Sequence, residues 1–229
     1  MLGSYINFFW IIVIMKELKE QKRYLKRWYD KTAKRYDIWE SKEKLVSESY
    51  KQEMGGIKKL LKVKKGDIVL DAATGTGNYL ILMAQKGAIC YGIDISPKIL
   101  EVAKKKAEKL NLKNVKELKI GDADKIPYSD KFFDWINCVG MFEYYPIEHV
   151  KKIFLEFRRV LKNKGKIVVD FPDINNQEAH KFREKSESVK TKVYLYNFKT
   201  VEKVIKDLGL KILKKQIRGF EIQLLLQPE

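Results

Sequence analysis

The stretch Ile68-Val69-Leu70-Asp71-Ala72-Ala73-Thr74-Gly75-Thr76-Gly77-Asn78-Tyr79 reads as a buried strand that runs into a glycine turn and then a helix. Ile68, Val69 and Leu70 form a short apolar run behind the turn-forming Lys65-Gly66-Asp67, the pattern of a parallel strand covered on both faces. From Tyr79 the apolar residues Leu80, Met83 and Ala84 recur at helical spacing, and Gly87 closes the run. A helix that opens on such a turn has free N–H groups, and Gly75 and Gly77 let a ligand come close to the backbone.

The strand-helix rhythm continues outward from there. Further strands are expected over residues 88–93, 114–120, 133–139 and 166–171. Ser96 reads as an N-cap with Pro97 at the first helical position, and the clearest helix, 147–161, carries Val150, Ile153, Phe154, Phe157 and Val160 on one face before a stop at Lys164-Gly165. Repeated units of this kind imply right-handed crossovers, a parallel sheet and ligands at the carboxyl ends of the strands. Near the end, Thr200 is expected to cap a helix that stops at Gly209, and strands 210–217 and 220–227 meet at a tight Arg218-Gly219 turn. Residues 173–197 show no motif.

A dinucleotide-binding turn would carry a third glycine, but in Gly75-Thr76-Gly77-Asn78-Tyr79-Leu80 that position is Leu80. Asp71 at the strand end would repel a pyrophosphate and suit a ligand with an ammonium group. These residues resemble motif I of the class I S-adenosylmethionine-dependent methyltransferases. The acid-x-Gly-x-Gly-x-Gly pattern is matched at Asp71, Gly75 and Gly77 and departs at Ala73, where the family usually has its first glycine. The resemblance implies an α/β fold: a Rossmann-like, doubly wound, mostly parallel seven-stranded sheet with an antiparallel last strand, plus an N-terminal helical cap. It also implies S-adenosyl-L-methionine as cofactor.

Asp94 ends the second expected strand, where a carboxylate can accept hydrogen bonds from both hydroxyls of a ribose. Gly92-x-Asp94-x-Ser96 is similar to the corresponding segment of the family. So is Gly121-Asp122-Ala123, which implies that Asp122 accepts from the adenine amino group and Ala123 offers a backbone N–H. Asp124 is expected to be solvated. Ala73, Ile95 and Val139 complete the cofactor contacts that the resemblance implies in this half of the chain.

Ahead of the opening strand, residues 16–37 read as an amphipathic helix with Tyr24, Leu25, Trp28, Tyr29, Thr32 and Tyr36 on one face. Tyr29-Asp30-x-x-Ala33-x-x-Tyr36-Asp37 is similar to the opening of many small-molecule and quinone methyltransferases. That likeness implies a segment that closes over the cofactor through Tyr29 and Tyr36 and walls an acceptor pocket with Trp28. A plain packing stripe is the alternative. A second helix over 45–61, interrupted at Gly55-Gly56, would complete a cap of residues 16–62, and residues 63–229 would form the methyltransferase domain. Residues 1–15 hold the apolar run Phe8-Phe9-Trp10-Ile11-Ile12-Val13-Ile14, short of the ~20 residues that cross a bilayer. They read as an extension ahead of a start at Met15, or as a weak anchor at a membrane surface.

With 229 residues, 45% hydrophobic and 34% charged, the chain has room for one sizeable core with additions and is neither disordered nor membrane-spanning in composition. Cys90 and Cys138 sit in apolar runs and read as core residues of a cytoplasmic protein; with only His149 and His180 present, no metal site is expected. Of the net charge of +17, +9 falls in residues 1–66, which raises RNA as a second acceptor class, with Lys22, Arg23, Lys26 and Arg27 as phosphate contacts. The leading expectation is methyl transfer to a small-molecule or lipid-like acceptor. A non-catalytic cofactor-binding module and a nicotinamide-dependent enzyme are the remaining alternatives.

Methyl transfer from a sulfonium is a displacement that positioning can largely drive, so no base is demanded. The segment Val139-Gly140-Met141-Phe142-Glu143-Tyr144-Tyr145-Pro146 follows the fourth strand and would face the cofactor. Phe142, Glu143, Tyr144 and Asp170 are therefore candidates for the acceptor pocket beside Trp28. Glu143, Tyr144, His149 and Asp170 are the candidate bases by position.

Overall fold

Each apolar run of the computed structural model pairs with a neighbour as its alternation requires. Residues 2–39, 48–188 and 191–229 are described, with side chains for 16–36, 48–187 and 191–229. Two helices come first, α1 (Leu2–Trp39) and α2 (Glu48–Leu60). The alternating part follows as β1 (Ile68–Ala72), α3 (Asn78–Gln85), β2 (Ile89–Asp94), α4 (Pro97–Lys109), β3 (Val115–Ile120), β4 (Phe133–Cys138), α5 (Ile147–Val160) and β5 (Leu161–Pro172). The chain ends with α6 (Gln177–Ser188), α7 (Phe198–Asp207), β6 (Leu210–Arg218) and β7 (Glu221–Pro228).

The seven strands form one sheet in the order β3-β2-β1-β4-β5-β7-β6. The pairs from β3 through β5 are parallel, and β7 runs antiparallel to both β5 and β6. Strand order reverses between β1 and β4, so a crevice opens outside their carboxyl ends. Alternation along β1 sends Leu70 and Ala72 to one face, where they join Phe154, Phe157, Val201 and Ile205. It sends Val69 to the other face, with Ile57, Leu60, Leu80 and Met83. Both faces are thus dry, which is why β1 is apolar almost throughout.

Several boundaries differ from the sequence reading. The expected helix 16–37 is part of the longer α1, and α2 runs unbroken through Gly55-Gly56. Gly56 serves close packing: a Cβ there would sit 2.0 Å from Gln223 Oε1 and 2.7 Å from Arg218 Cγ, so the glycine lets α2 lie against β6 and β7. The expected start of that helix at Leu45 and the side chains of residues 1–15 lie outside the described residues. Helix α5 ends at Val160, one residue before the expected Leu161, because Leu161 is already extended and pairs with Phe133 at the foot of β4. Helix α7 is capped by Asn197, whose side chain accepts from Lys199 N, rather than by Thr200. Residues 173–197, silent in sequence, supply α6 and a bridge between Asp173 and Tyr196. Cys90 and Cys138 are buried free thiols.

Candidate active site

The turn after β1 is built on three left-handed residues, Ala73 at φ 58°, Gly75 at φ 55° and Gly77 at φ 84°. That conformation explains glycines at alternate positions, and Ala73 adopts it despite its Cβ. A Cβ on Gly75 would meet nothing within 4 Å, so the loop presents bare backbone to open space there, while one on Gly77 would come within 3.0 Å of Ala103 Cβ in α4. Thr74 locks the turn: its hydroxyl donates to Asp71 O at 2.7 Å and its N–H to Ile93 O at 3.0 Å. Gly92 makes room for it, since a Cβ there would lie 2.5 Å from Thr74 Oγ1.

Asp94 ends β2 beside this loop. Its Oδ2 accepts from Gly75 N and its Oδ1 from Ser96 N, each at 2.9 Å. Burial raises its carboxyl to about 6, against the lowering effect of the N–H groups of Ser96, Gly75 and Ile95. Ser96 caps α4 by accepting from Ile99 N, and its own hydroxyl donates to Asp30 of α1 at 2.7 Å. Helix α1 therefore docks on the end of β2. Ala123 is buried behind the next strand end. Its neighbours Asp122 and Asp124 both accept from Lys22 Nζ of α1, at 2.6 and 2.7 Å.

Asp124, expected to be solvated, also lies 2.9 Å from His149 Nε2. The His149 imidazole, then Lys22, hold the Asp124 carboxyl well below the usual carboxylate range. Gln21 fastens α1 to the segment after β4, donating to Tyr144 O at 2.8 Å and Lys192 O at 2.9 Å. Over this region α1 brings Trp28, Tyr29 and Tyr36 into one cluster, Trp28 edge-to-face with both tyrosines and its centroid 5.0 Å from that of Tyr29. Tyr144 lies against them and hydrogen-bonds Tyr29 through its side chain; burial, first, lifts its phenol well above the ordinary range. The side chain of Asp37, the last residue of the Tyr-Asp pattern, lies outside the described residues.

Three assignments change. Asp71 does not face the cleft as its place at the strand end suggested: it is 2% exposed, turned under α3, where Asn137 Nδ2 donates to it at 2.6 Å and Leu80 N–H also reaches it. Its register with Asn137 in β4 puts both side chains on the α2–α3 face. Phe142 is a core residue rather than a pocket wall, fully buried and stacked on Phe171 at 4.7 Å and Phe154 at 5.5 Å. Lys22 and Lys26 are paired with carboxylates, Lys22 with Asp122 and Asp124 and the more exposed Lys26 with Asp30 at 2.8 Å, rather than standing free for phosphates.

Glu143 and Asp170 are both buried. Gly140 N donates to Asp170 Oδ1 at 2.9 Å, while burial, then the nearby Glu143, push the Asp170 carboxyl well above its ordinary value. Glu53 of α2, unremarked in sequence, acts on Asp170 in the same direction. Asn137 was also missed, although a lone amide in the apolar run Trp135-Ile136-Asn137-Cys138 was a signal of a buried polar partner. Two clefts, of 510 and 770 Å³, lie along edge strand β3; neither is lined by Gly75, Asp94 or Asp122. Among the described residues no group of side chains could hold a metal ion, and no helix is long and apolar enough to cross a membrane.

The family model described as a methyltransferase domain matches residues 63–220. An uncharacterized protein of Methanocaldococcus jannaschii is 28% identical over 190 residues, covering 81% of this chain and 82% of that protein. The demethylmenaquinone methyltransferase of Lactobacillus johnsonii is 38% identical over 112 residues, covering 48% of this chain and 45% of that enzyme, so the match spans about half its length. Among solved structures, magnesium protoporphyrin IX methyltransferase from Synechocystis, with S-adenosylhomocysteine bound, superposes with a TM-score of 0.71 at 18% identity. That alignment covers 91% of this chain and 100% of that one, and it shows a shared fold.

Proposed function

The chain belongs to the class I S-adenosylmethionine-dependent methyltransferases, and on that premise we propose that it methylates a small apolar or lipid-like acceptor held between α1 and the segment after β4. The carrying observation is the aromatic cluster of Trp28, Tyr29 and Tyr36 against Tyr144, a wall that suits a flat, weakly polar molecule. The demethylmenaquinone relatives support the same acceptor class. In this reading Gly75 and Gly77 lend bare backbone to the methionine end of the cofactor. Asp94 accepts from its ribose, and Asp122 with Ala123 reads its adenine. Ala73, Ile95 and Val139 line the same cleft, with Tyr29 and Tyr36 closing it. Asp71 acts through the turn it supports.

S-adenosylmethionine supplies a methyl group on a sulfonium, displaced in line with a neutral thioether as leaving group. The protein's part is to exclude water and hold the acceptor atom in that line. If the acceptor gives up a proton, this reading assigns it to the buried Glu143 and Asp170 pair, because His149 is tied to Asp124 and the Tyr144 phenol is too weak an acid to be ionised at neutral pH. RNA is the weaker reading, since two of the four lysines and arginines considered for phosphates are held by carboxylates.

The test uses methyl-labelled S-adenosylmethionine with demethylated quinols, other phenolic and lipid-like acceptors, and bulk tRNA in parallel. Label should enter the apolar fraction, and Tyr144→Ala should reduce it at least tenfold. Label confined to tRNA would overturn the acceptor reading.

A further inference from the structure

We propose that Lys22 is a positioning residue for cofactor recognition: from α1, its ammonium sets the Asp122 carboxylate so that one oxygen, Oδ1, is presented to the adenine amino group. The inference rests on the assignment of Asp122 to adenine and adds a residue from outside the domain that carries the strand ends. A single cation bridges both carboxylates of the Asp122-Ala123-Asp124 segment, at 2.6 Å to Asp122 Oδ2 and 2.7 Å to Asp124 Oδ2, with only 18% of the Lys22 side chain exposed. The ammonium also lies 5.4 Å above the Tyr145 ring, and His149, stacked on that ring at 5.1 Å, comes within 2.9 Å of the same Asp124 oxygen.

Asp122 is thus constrained through Oδ2, while among the described residues Oδ1 has a single long contact of 3.4 Å from Asp124 N. An amino group needs an acceptor, and a carboxylate already fixed in one rotamer provides it without the entropy of ordering. As a net stability device the bridge has little to offer, because desolvating the mostly buried ammonium and its two carboxylates offsets much of their attraction. Nor is it needed to dock α1, which Gln21 and Asp30 fasten independently to Tyr144 O, Lys192 O and Ser96 Oγ. Removing the ammonium should therefore disturb recognition more than folding.

The experiment compares two ligands by calorimetry at one salt concentration: S-adenosylhomocysteine and its inosyl analogue, in which a carbonyl oxygen replaces the amino group. Wild-type protein should prefer the adenosyl ligand, since the inosyl oxygen would face the Asp122 carboxylate. In Lys22→Met the adenosyl affinity should fall about fivefold to tenfold and the preference should shrink with it, as for loss of one oriented hydrogen bond. Lys22→Arg, which keeps the cation, should retain most of the preference. Asp122→Asn should abolish it. If Asp122→Asn abolishes the preference and Lys22→Met leaves affinity and preference at wild-type values, the role of Lys22 is overturned and the adenine assignment stands. If neither variant changes the preference, the assignment of Asp122 falls and the inference with it. A general loss of structure in Lys22→Met would weaken both ligands equally, leaving the preference intact, and would likewise count against positioning.

Discussion

Asp71→Asn should stabilise the protein above neutral pH and flatten its pH dependence. The Asp71 carboxyl is 2% exposed, and burial raises it from 3.8 to about 7, against the lowering effect of Asn137 and Leu80 N–H. Because the folded value is the higher one, the folded protein keeps a proton that the unfolded chain has released between those two pH values. The associated stability is complete below the unfolded value and is lost as pH rises through the folded one. At roughly 1.4 kcal/mol per pH unit, the loss approaches about 4 kcal/mol by pH 8.

Asparagine mimics the protonated acid at this site. Its oxygen can keep the bond from Asn137 Nδ2, and its NH2 can donate to Asn137 Oδ1, which is buried without a hydrogen-bond partner among the described residues. The Leu80 N–H loses its acceptor, which costs about 1 kcal/mol or somewhat more. The expected net gain at pH 8 is therefore about 1–3 kcal/mol, shrinking to a small loss at pH 5. Urea unfolding followed by tryptophan fluorescence at pH 5, 6, 7 and 8 measures this as the difference between variant and wild type. Asp170 titrates in both proteins and largely cancels; Asp94, whose charge acts on Asp71, loses that repulsion in the variant, which adds to the gain as pH rises. A difference that stays constant across the four pH values would refute the argument, as would a variant that becomes relatively less stable as pH rises.

Asp94→Asn should weaken S-adenosylhomocysteine binding at least tenfold at pH 7.5, about the strength of a charge-assisted hydrogen bond. With its carboxyl raised to about 6, wild-type affinity should fall severalfold between pH 7 and 5, because the ionised form is the acceptor; the variant should lack that step in calorimetry. Ala73→Gly relieves a left-handed alanine at φ 58° and should raise the melting temperature by about 2 °C, a net gain of roughly 0.5–1 kcal/mol after the added freedom of the unfolded chain. No rise in a calorimetric scan would mean that the turn holds Ala73 without strain.

Much of the fold was legible because parallel strands buried on both faces must be apolar throughout, and 68–72, 89–94 and 133–138 are nearly so. The strand-end acids were legible for a related reason: Asp94 and Asp122 interrupt apolar or alternating runs where the chain turns. Ser96 and Pro97 marked the start of α4 by local chemistry alone. Boundaries failed where distant residues decided them. Leu161 is extended because Phe133 pairs with it, and α2 runs on through Gly55-Gly56, where Gly56 packs closely against Gln223.

What the sequence by itself determined is the order of strands and helices outside residues 173–197, the glycine turn and the acids at successive strand ends, since these follow from periodicity and turn chemistry within a dozen residues. The tertiary structure alone decided which way the side chains face and what they meet. Asp71 lies under α3 because the pleat and its register with Asn137 turn it there, and Phe142 is core because Phe154 and Phe171 stack on it. Lys22 serves Asp122 and Asp124, 100 and 102 residues away, because α1 crosses the carboxyl ends of the strands. An isolated lysine carries no mark of its partner: its charge is written in the sequence, but the Coulomb energy depends on a distance that only packing sets.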